Sequence, residues 1–172
     1  MVVNEGLAKL ILIGRLLVIE KRLAKLGLPL RAGEHFELVN QDSDPRYKEY
    51  WTWYHRLLER RGVSPELAQR EMRRRTTLIG AMLVRFGVAD GLICGTFGQY
   101  NLHLRYIRSV IGLRSGTRDY AAMNVVMLPQ RTLFICDTYV NPEPTAEQVA
   151  DIALLAVEQV RRFGIEPKVA LL

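Results

Sequence analysis

The chain has 172 residues, 49% apolar and 24% charged, which suits one domain with a real core and is too apolar for a disordered segment. No apolar run approaches the roughly 18 residues of a membrane span, and the N-terminus shows no apolar stretch followed by a small-residue cleavage site, so neither a spanning helix nor a secretory leader is expected. The net charge of +6 is uneven: residues 1–118 hold twenty Lys and Arg against eleven Asp and Glu, and residues 119–172 hold four against seven. The basic part fits a phosphorylated ligand, a membrane surface or nucleic acid, or else a set of solvated helix faces.

In chain order, Leu10 to Ile13 reads as a buried strand ending at Gly14, and Leu16 to Leu26 as a helix closed by Gly27. Phe36 to Val39 is a second short strand, followed by a polar turn from Asn40 to Pro45. Arg46 to Arg61 is helical, with Tyr47, Tyr50, Trp51, Tyr54 and Leu58 on one face. That stripe reads as packing rather than as a base-stacking platform, which argues against nucleic acid as the partner of the Arg56 to Arg75 cluster. Gly62 ends the helix, and Ser64 and Pro65 supply an N-cap and a first-turn residue for a helix to about Arg73.

Thr76 to Phe86 is helical again, with Leu78, Ile79, Met82, Leu83 and Phe86 inward. Asp90 to Gly95 reads as a strand. The next helix runs from about Tyr100 to Ile111 with Leu104, Ile107 and Ile111 inward. Tyr120 to Leu128 and Thr132 to Tyr139 are two apolar runs separated by a turn at Pro129, Gln130 and Arg131, so a hairpin is expected and the sheet is mixed. Thr145 and Gln148 form a capping-box pattern before the last helix. Its stripe is Val149, Ile152, Ala153, Ala156, Val160 and Phe163, and Leu154 and Leu155 widen it, so burial on more than one side is expected. Gly164 ends it, and Val169 to Leu172 reads as a buried strand. Strands alternating with helices make an α/β layered fold.

Cys94 and Cys136 lie in apolar strand-like runs, so buried reduced thiols in a cytoplasmic protein are expected. His35, His55 and His103 are far apart and have no partner at metal-ligand spacing. The one constellation pointing to a ligand is the GTFG loop, Gly95 to Gly98, leading into a helix that carries Asn101, Arg105 and Arg108 away from its apolar stripe. A glycine loop at a helix start presents N–H groups to an anion, and arginine's planar fork suits phosphate oxygens. The same two glycines also serve as plain turn residues. Asp137 and Asn141, in DTYVNPEP, either hold a ligand or fix their own loop, and the loop-fixing reading is favoured. Arg73, Arg74 and Arg75 read as a solvated helix end.

Three segments together resemble the phosphotransacetylase family: RRGVSPELAQREMRRRTTLIGAMLVRFGVADGLICG (60–95), HLRYIRSVIGLRSG (103–116) and the block from Met123 to Leu172. ILIGRLLVIEKRLAKLGL, YWTWYHRLLERRG and MNVVMLPQRTLFICDTYVNPEPTAEQ bring the chain nearest to one branch, the phosphotransacetylase-like C-terminal domain of bacterial NADP-dependent malic enzymes. The resemblance implies a three-layer α/β/α fold like that of isocitrate and isopropylmalate dehydrogenases. It implies that residues 1–172 are part of such a domain, with the family's first strand and helix before Val2 and its catalytic serine, arginine and aspartate beyond Lys168 to Leu172. No catalytic residue is then expected within the chain.

The implied role is regulatory and structural: binding acetyl-CoA as an effector and helping to build an oligomer, with a dimer expected for this piece. NADP and a divalent metal would belong to the parent's malate-oxidising domain. The alternative is part of an active phosphate acetyltransferase. Arg105, in HLRYIR, matches the arginine of the family's LRPA segment that contacts the phosphate end of the substrate, with Tyr106 in place of the proline. A second family arginine falls where Leu58 stands, so Arg60, two residues on, is its nearest counterpart. The implied acetyl-CoA or phosphate site is thus Arg105, Asn101, Arg108, Gly95, Gly98 and Arg60.

Overall fold

The structure is a computed structural model that describes residues 2–171. The chain divides into two compact units, one reaching Gly112 and one starting at Leu113.

In the first unit, β1 (Leu10–Ile13) and β2 (Phe36–Val39) pair in parallel, with Leu10 opposite Phe36 and Ile13 opposite Val39. A parallel pair needs a crossover, and α1 (Leu16–Lys25) provides it. β1 is half-buried rather than buried, because one strand pair leaves one edge and part of a face open. The core is helical. α2 (Tyr47–Leu58) runs into a 3-10 turn at Glu59–Arg61, and α3 (Pro65–Arg74) and α4 (Thr76–Arg85) follow. The Ser64 hydroxyl accepts from the Leu67 N–H at 3.2 Å, and Pro65 occupies the first turn.

The aromatic stripe is a core stripe: Tyr50, Tyr54 and Leu58 are buried, and Tyr47 and Trp51 pack against them. Phe86 closes over Tyr50 and Trp53 with ring centroids 5.4 and 5.9 Å apart. α4 is buried from Thr77 through Leu83, on every side. Its Gly80 permits this, since a Cβ there would lie 2.5 Å from Leu92 Cδ1 and 3.4 Å from Ile13 Cδ1. α5 (Tyr100–Val110) packs on α4. Its inward residues are Leu102, Tyr106 and Val110, with Ile111 beside them, whereas Leu104 and Ile107 are only half-buried. The polar hydroxyl of Tyr106 concealed the true stripe, which is rotated by roughly a third of a turn around the helix from the expected one.

The expected strand at 90–95 does not form. The segment is irregular and has no ladder partner among the described residues, and Ile93 is fully exposed while Leu92 packs on Gly80. An apolar run without a neighbour's N–H and C=O groups is not a strand.

In the second unit, β3 (Met123–Leu128) and β4 (Arg131–Cys136) form an antiparallel hairpin, Leu128 opposite Arg131. One mixed sheet was expected; the described strands instead form two separate pairs, one parallel and one antiparallel. α6 (Ala146–Arg162) starts with the expected capping box: the Gln148 N–H donates to the Thr145 hydroxyl at 3.3 Å and the Thr145 N–H to Gln148 Oε1 at 2.9 Å. α6 fully buries only Ile152 and Val160, and Leu154 is 68% exposed, so the expected burial on several sides is corrected to half-burial around these two residues. Phe163 meets Phe134 edge-on at 5.3 Å. The expected final strand is also absent: Val169 and Leu171 are exposed and unpaired in any ladder, and Leu172 lies outside the described residues. The expected burial of both cysteines fails, for Cys94 because its run forms no strand and for Cys136 although it ends β4. Cys94 is exposed and Cys136 half-buried, both as free thiols.

Among the described residues no helix is long and apolar enough to cross a membrane.

Candidate anion site

The loop and helix singled out in the sequence are adjacent in the first unit. Gly95 and Gly98 take φ of +118° and +99°, with Thr96 between them at +60°. Gly98 is doubly constrained, because a Cβ would also lie 3.2 Å from His103 Nε2. His103 is the pin of this loop. Its Nε2 donates to the Phe97 carbonyl at 2.9 Å; a carbonyl only accepts, so Nε2 bears the hydrogen. Its Nδ1 lies 2.7 Å from the hydroxyl of Thr77, a buried residue of α4. The loop is thereby tied through α5 to the core.

The first turn of α5 has no acidic residue and its N-cap, Gln99, makes no side-chain cap. That leaves the positive end of the helix suited to an anion. Asn101, Arg105 and Arg108 are all exposed on α5, on the side away from Leu102, Tyr106 and Val110. Arg60 sits apart from this group in sequence and element, exposed on the 3-10 turn after α2. Leu58, at the position of the family's second arginine, is buried in the core cluster and presents no charge.

Beneath Arg105 lies a polar cluster that sequence reading missed. Glu71 of α3 accepts from the Tyr54 hydroxyl at 2.8 Å and from the Tyr106 hydroxyl at 2.9 Å. Burial, and after it the Glu71 carboxylate, pushes both phenols above their ordinary value, so both remain donors. Arg105 Nη2 lies 3.9 Å from Glu71 Oε1, and its guanidinium carbon is 5.3 Å from the Tyr106 ring centre. The neighbouring Tyr106 hydroxyl, more than Glu71, pushes the Arg105 guanidinium above its ordinary value. The replacement of proline by Tyr106 was the one signal in the sequence. Its partner, 35 residues away, has no local signature.

The other candidates are structural. Asp137 accepts from the Ala122 N–H at 2.9 Å and from the Asn141 N–H and side-chain amide at 2.6 and 2.7 Å, and Asn141 also donates to the Tyr120 carbonyl at 3.0 Å. Burial pushes the Asp137 carboxyl up, but these hydrogen bonds outweigh it and hold it below the usual carboxylate range. They fix the loop, as favoured from sequence. Arg73, Arg74 and Arg75 are exposed, and Arg73 stacks over Tyr47 at 4.9 Å. Among the described residues no three His, Cys, Asp or Glu gather to hold a metal ion.

The sequence profile of the family described as "Phosphate acetyl/butaryl transferase" matches residues 1–172. The chain is 55% identical over 170 residues to an "NADP-dependent malic enzyme" of Salmonella typhimurium, covering 99% of this chain and 22% of that protein. It is 33% identical over 170 residues to a "Phosphate acetyltransferase" of Nitratidesulfovibrio vulgaris, covering 99% of this chain and 24% of that protein. It thus spans under a quarter of the length of these relatives. Among solved structures it superimposes on the "EutD phosphotransacetylase from Staphylococcus aureus" with a TM-score of 0.77 at 22% identity, covering 92% of this chain and 47% of that one.

Proposed function

We propose a function from one premise: the chain belongs to the phosphate acetyl/butaryl transferase family. It is mixed α/β with a phosphotransacetylase fold, and the reading adds the three-layer, isocitrate dehydrogenase-like arrangement for the whole domain. In this reading residues 1–172 are part of the regulatory and assembly domain of an NADP-dependent malic enzyme. The parent converts malate to pyruvate and CO2 in the cytoplasm, and this domain binds acetyl-CoA as an effector. The observation that carries the reading is the 55% identity to malic enzymes over nearly the whole chain, against 33% to a phosphate acetyltransferase.

Acetyl-CoA carries phosphates, and the pinned GTFG loop, the uncapped start of α5 and Arg105 are the groups suited to receive one. Asn101 and Arg108 extend the same face. Arg60 belongs to the proposal only through the resemblance. Regulation requires acetyl-CoA to bind one global state of the parent better than another. NADP and the divalent metal of malate oxidation are assigned to the rest of the parent, as the resemblance to malic enzymes implies. The exposed apolar hairpin supports self-association, with a dimer as the smallest unit.

The second reading is part of an active phosphate acetyltransferase, which the fold favours equally. Calorimetric titration of the full parent chain with acetyl-CoA, run beside an assay for acetyl phosphate, separates the two. Binding without turnover is expected. Formation of acetyl phosphate would make the domain a transferase and overturn the regulatory reading.

A further inference from the structure

Arg105 has a carboxylate beside it that is not free to leave. Each oxygen of Glu71 is held by a different tyrosine hydroxyl, Tyr54 from α2 and Tyr106 from α5. Both rings are buried, and the Glu71 side chain is 17% exposed. The guanidinium itself is 62% exposed, so it faces solvent on one side and Glu71 on the other. At 3.9 Å the contact with Glu71 is too long for a hydrogen bond, so it acts through charge rather than by fixing the arginine's orientation.

We propose that Glu71, clamped by Tyr54 and Tyr106, is a resident counter-ion that lowers the affinity of Arg105 for the phosphate of an anionic ligand. The inference rests on the reading of Arg105 as part of the acetyl-CoA site and adds a setting of its strength. An incoming phosphate shares the guanidinium with Glu71 and is repelled by it. The tyrosines decide the outcome. While both hydroxyls hold the carboxylate, it stays at 3.9 Å. With one hydroxyl removed, the freed oxygen closes on Arg105 and competes more strongly. Tyr106 thereby couples the packing of α5 to the charge at the site.

The test uses the full parent chain titrated with acetyl-CoA. Glu71→Gln is expected to tighten binding about 1.5- to five-fold, the range for a partly exposed ion pair. In the Arg105→Ala background the same substitution is expected to do nothing, because there is no guanidinium left to unmask. Tyr106→Phe is expected to weaken binding about two-fold. Opposite signs for Glu71→Gln and Tyr106→Phe are the result that a purely structural role would not produce, since loosening the cluster would move both the same way.

Unchanged or weaker binding in Glu71→Gln, with Arg105→Ala impaired, overturns the counter-ion and leaves the functional reading standing. So does an equal gain in the Arg105→Ala background. If Glu71→Gln fails to fold, Tyr54→Phe, which frees the other carboxylate oxygen without removing a hydroxyl beside Arg105, decides alone: binding unchanged or tightened overturns the proposal. Wild-type affinity in Arg105→Ala, or no binding in the wild type, overturns the reading of the site and the counter-ion with it.

Discussion

The two units of the chain are held in different ways. The first has a continuous apolar core running from Val39 through the helices to Val110, with α4 buried on all sides. The second, among its described residues, buries only Ile152 and Val160, and its hairpin leaves Val125, Met127, Leu133 and Ile135 exposed. What the second unit has instead is polar: the Asp137 loop, the capping box at Thr145, and ion pairs from Arg114 and Arg118 to α6. The difference teaches where a site can be rigid. The candidate anion site stands on the unit with the core, and its loop pin, His103, is tied to the most buried helix.

The largest expected effect is in the first unit's core. Met82 is fully buried, and Met82→Ala is expected to cost about 2–5 kcal/mol in denaturant unfolding of the whole chain. Leu154→Ala, on the exposed side of α6, is expected to change stability by less than about 0.5 kcal/mol. Similar losses at both positions would break the comparison, because they would mean that α6 is covered in solution.

Next comes the Asp137 loop. Asp137→Ala removes the acceptor of three hydrogen bonds in a partly solvated loop and is expected to cost about 1–2 kcal/mol. Hydrogen exchange should show the loss within residues 113–171 and not in the α4 amides. The pH dependence has a definite sign. The folded carboxyl titrates below its unfolded value. Its contribution is therefore full above the unfolded pKa of about 4 and is lost as pH falls through the lower folded value. The stability gap between wild type and Asp137→Asn should be constant near neutrality and shrink below about pH 4. A gap that widened on acidification would refute the assignment.

Legibility followed the range of the interactions. The Ser64 and Thr145 caps and the glycine helix ends are local, and each stood in the sequence within a residue or two. The segments at 90–95 and 169–171 have strand composition, but a strand exists only where another backbone pairs with it, and composition carries no word of the partner. α6 was over-read because Leu154 and Leu155 widen an apolar count without saying what lies opposite. At the site, the loop and Arg105 were legible from a glycine spacing and a resemblance. Glu71 was not, because it meets its tyrosines 17 and 35 residues away and looks like one more charge on a charged helix.

The smallest expected effect tests the polar side of the comparison most directly. Arg114 makes a two-pronged contact with Glu158 at 2.6 and 2.7 Å, and Arg162 reaches the same carboxylate at 3.2 Å. The geometry is the strong bidentate form, yet all three side chains are well exposed, so water and salt screen the attraction and ordering two long side chains opposes it. Arg114→Ala should therefore lower the stability of the second unit less than Asp137→Ala does, and the deficit should vanish in about 1 M salt, where the Debye length is roughly 3 Å. A larger loss than in Asp137→Ala, or one that persists in high salt, would mean that the pair is covered in solution. The exposed hairpin and α6 would then be one buried surface, and the second unit would be held by burial as the first is.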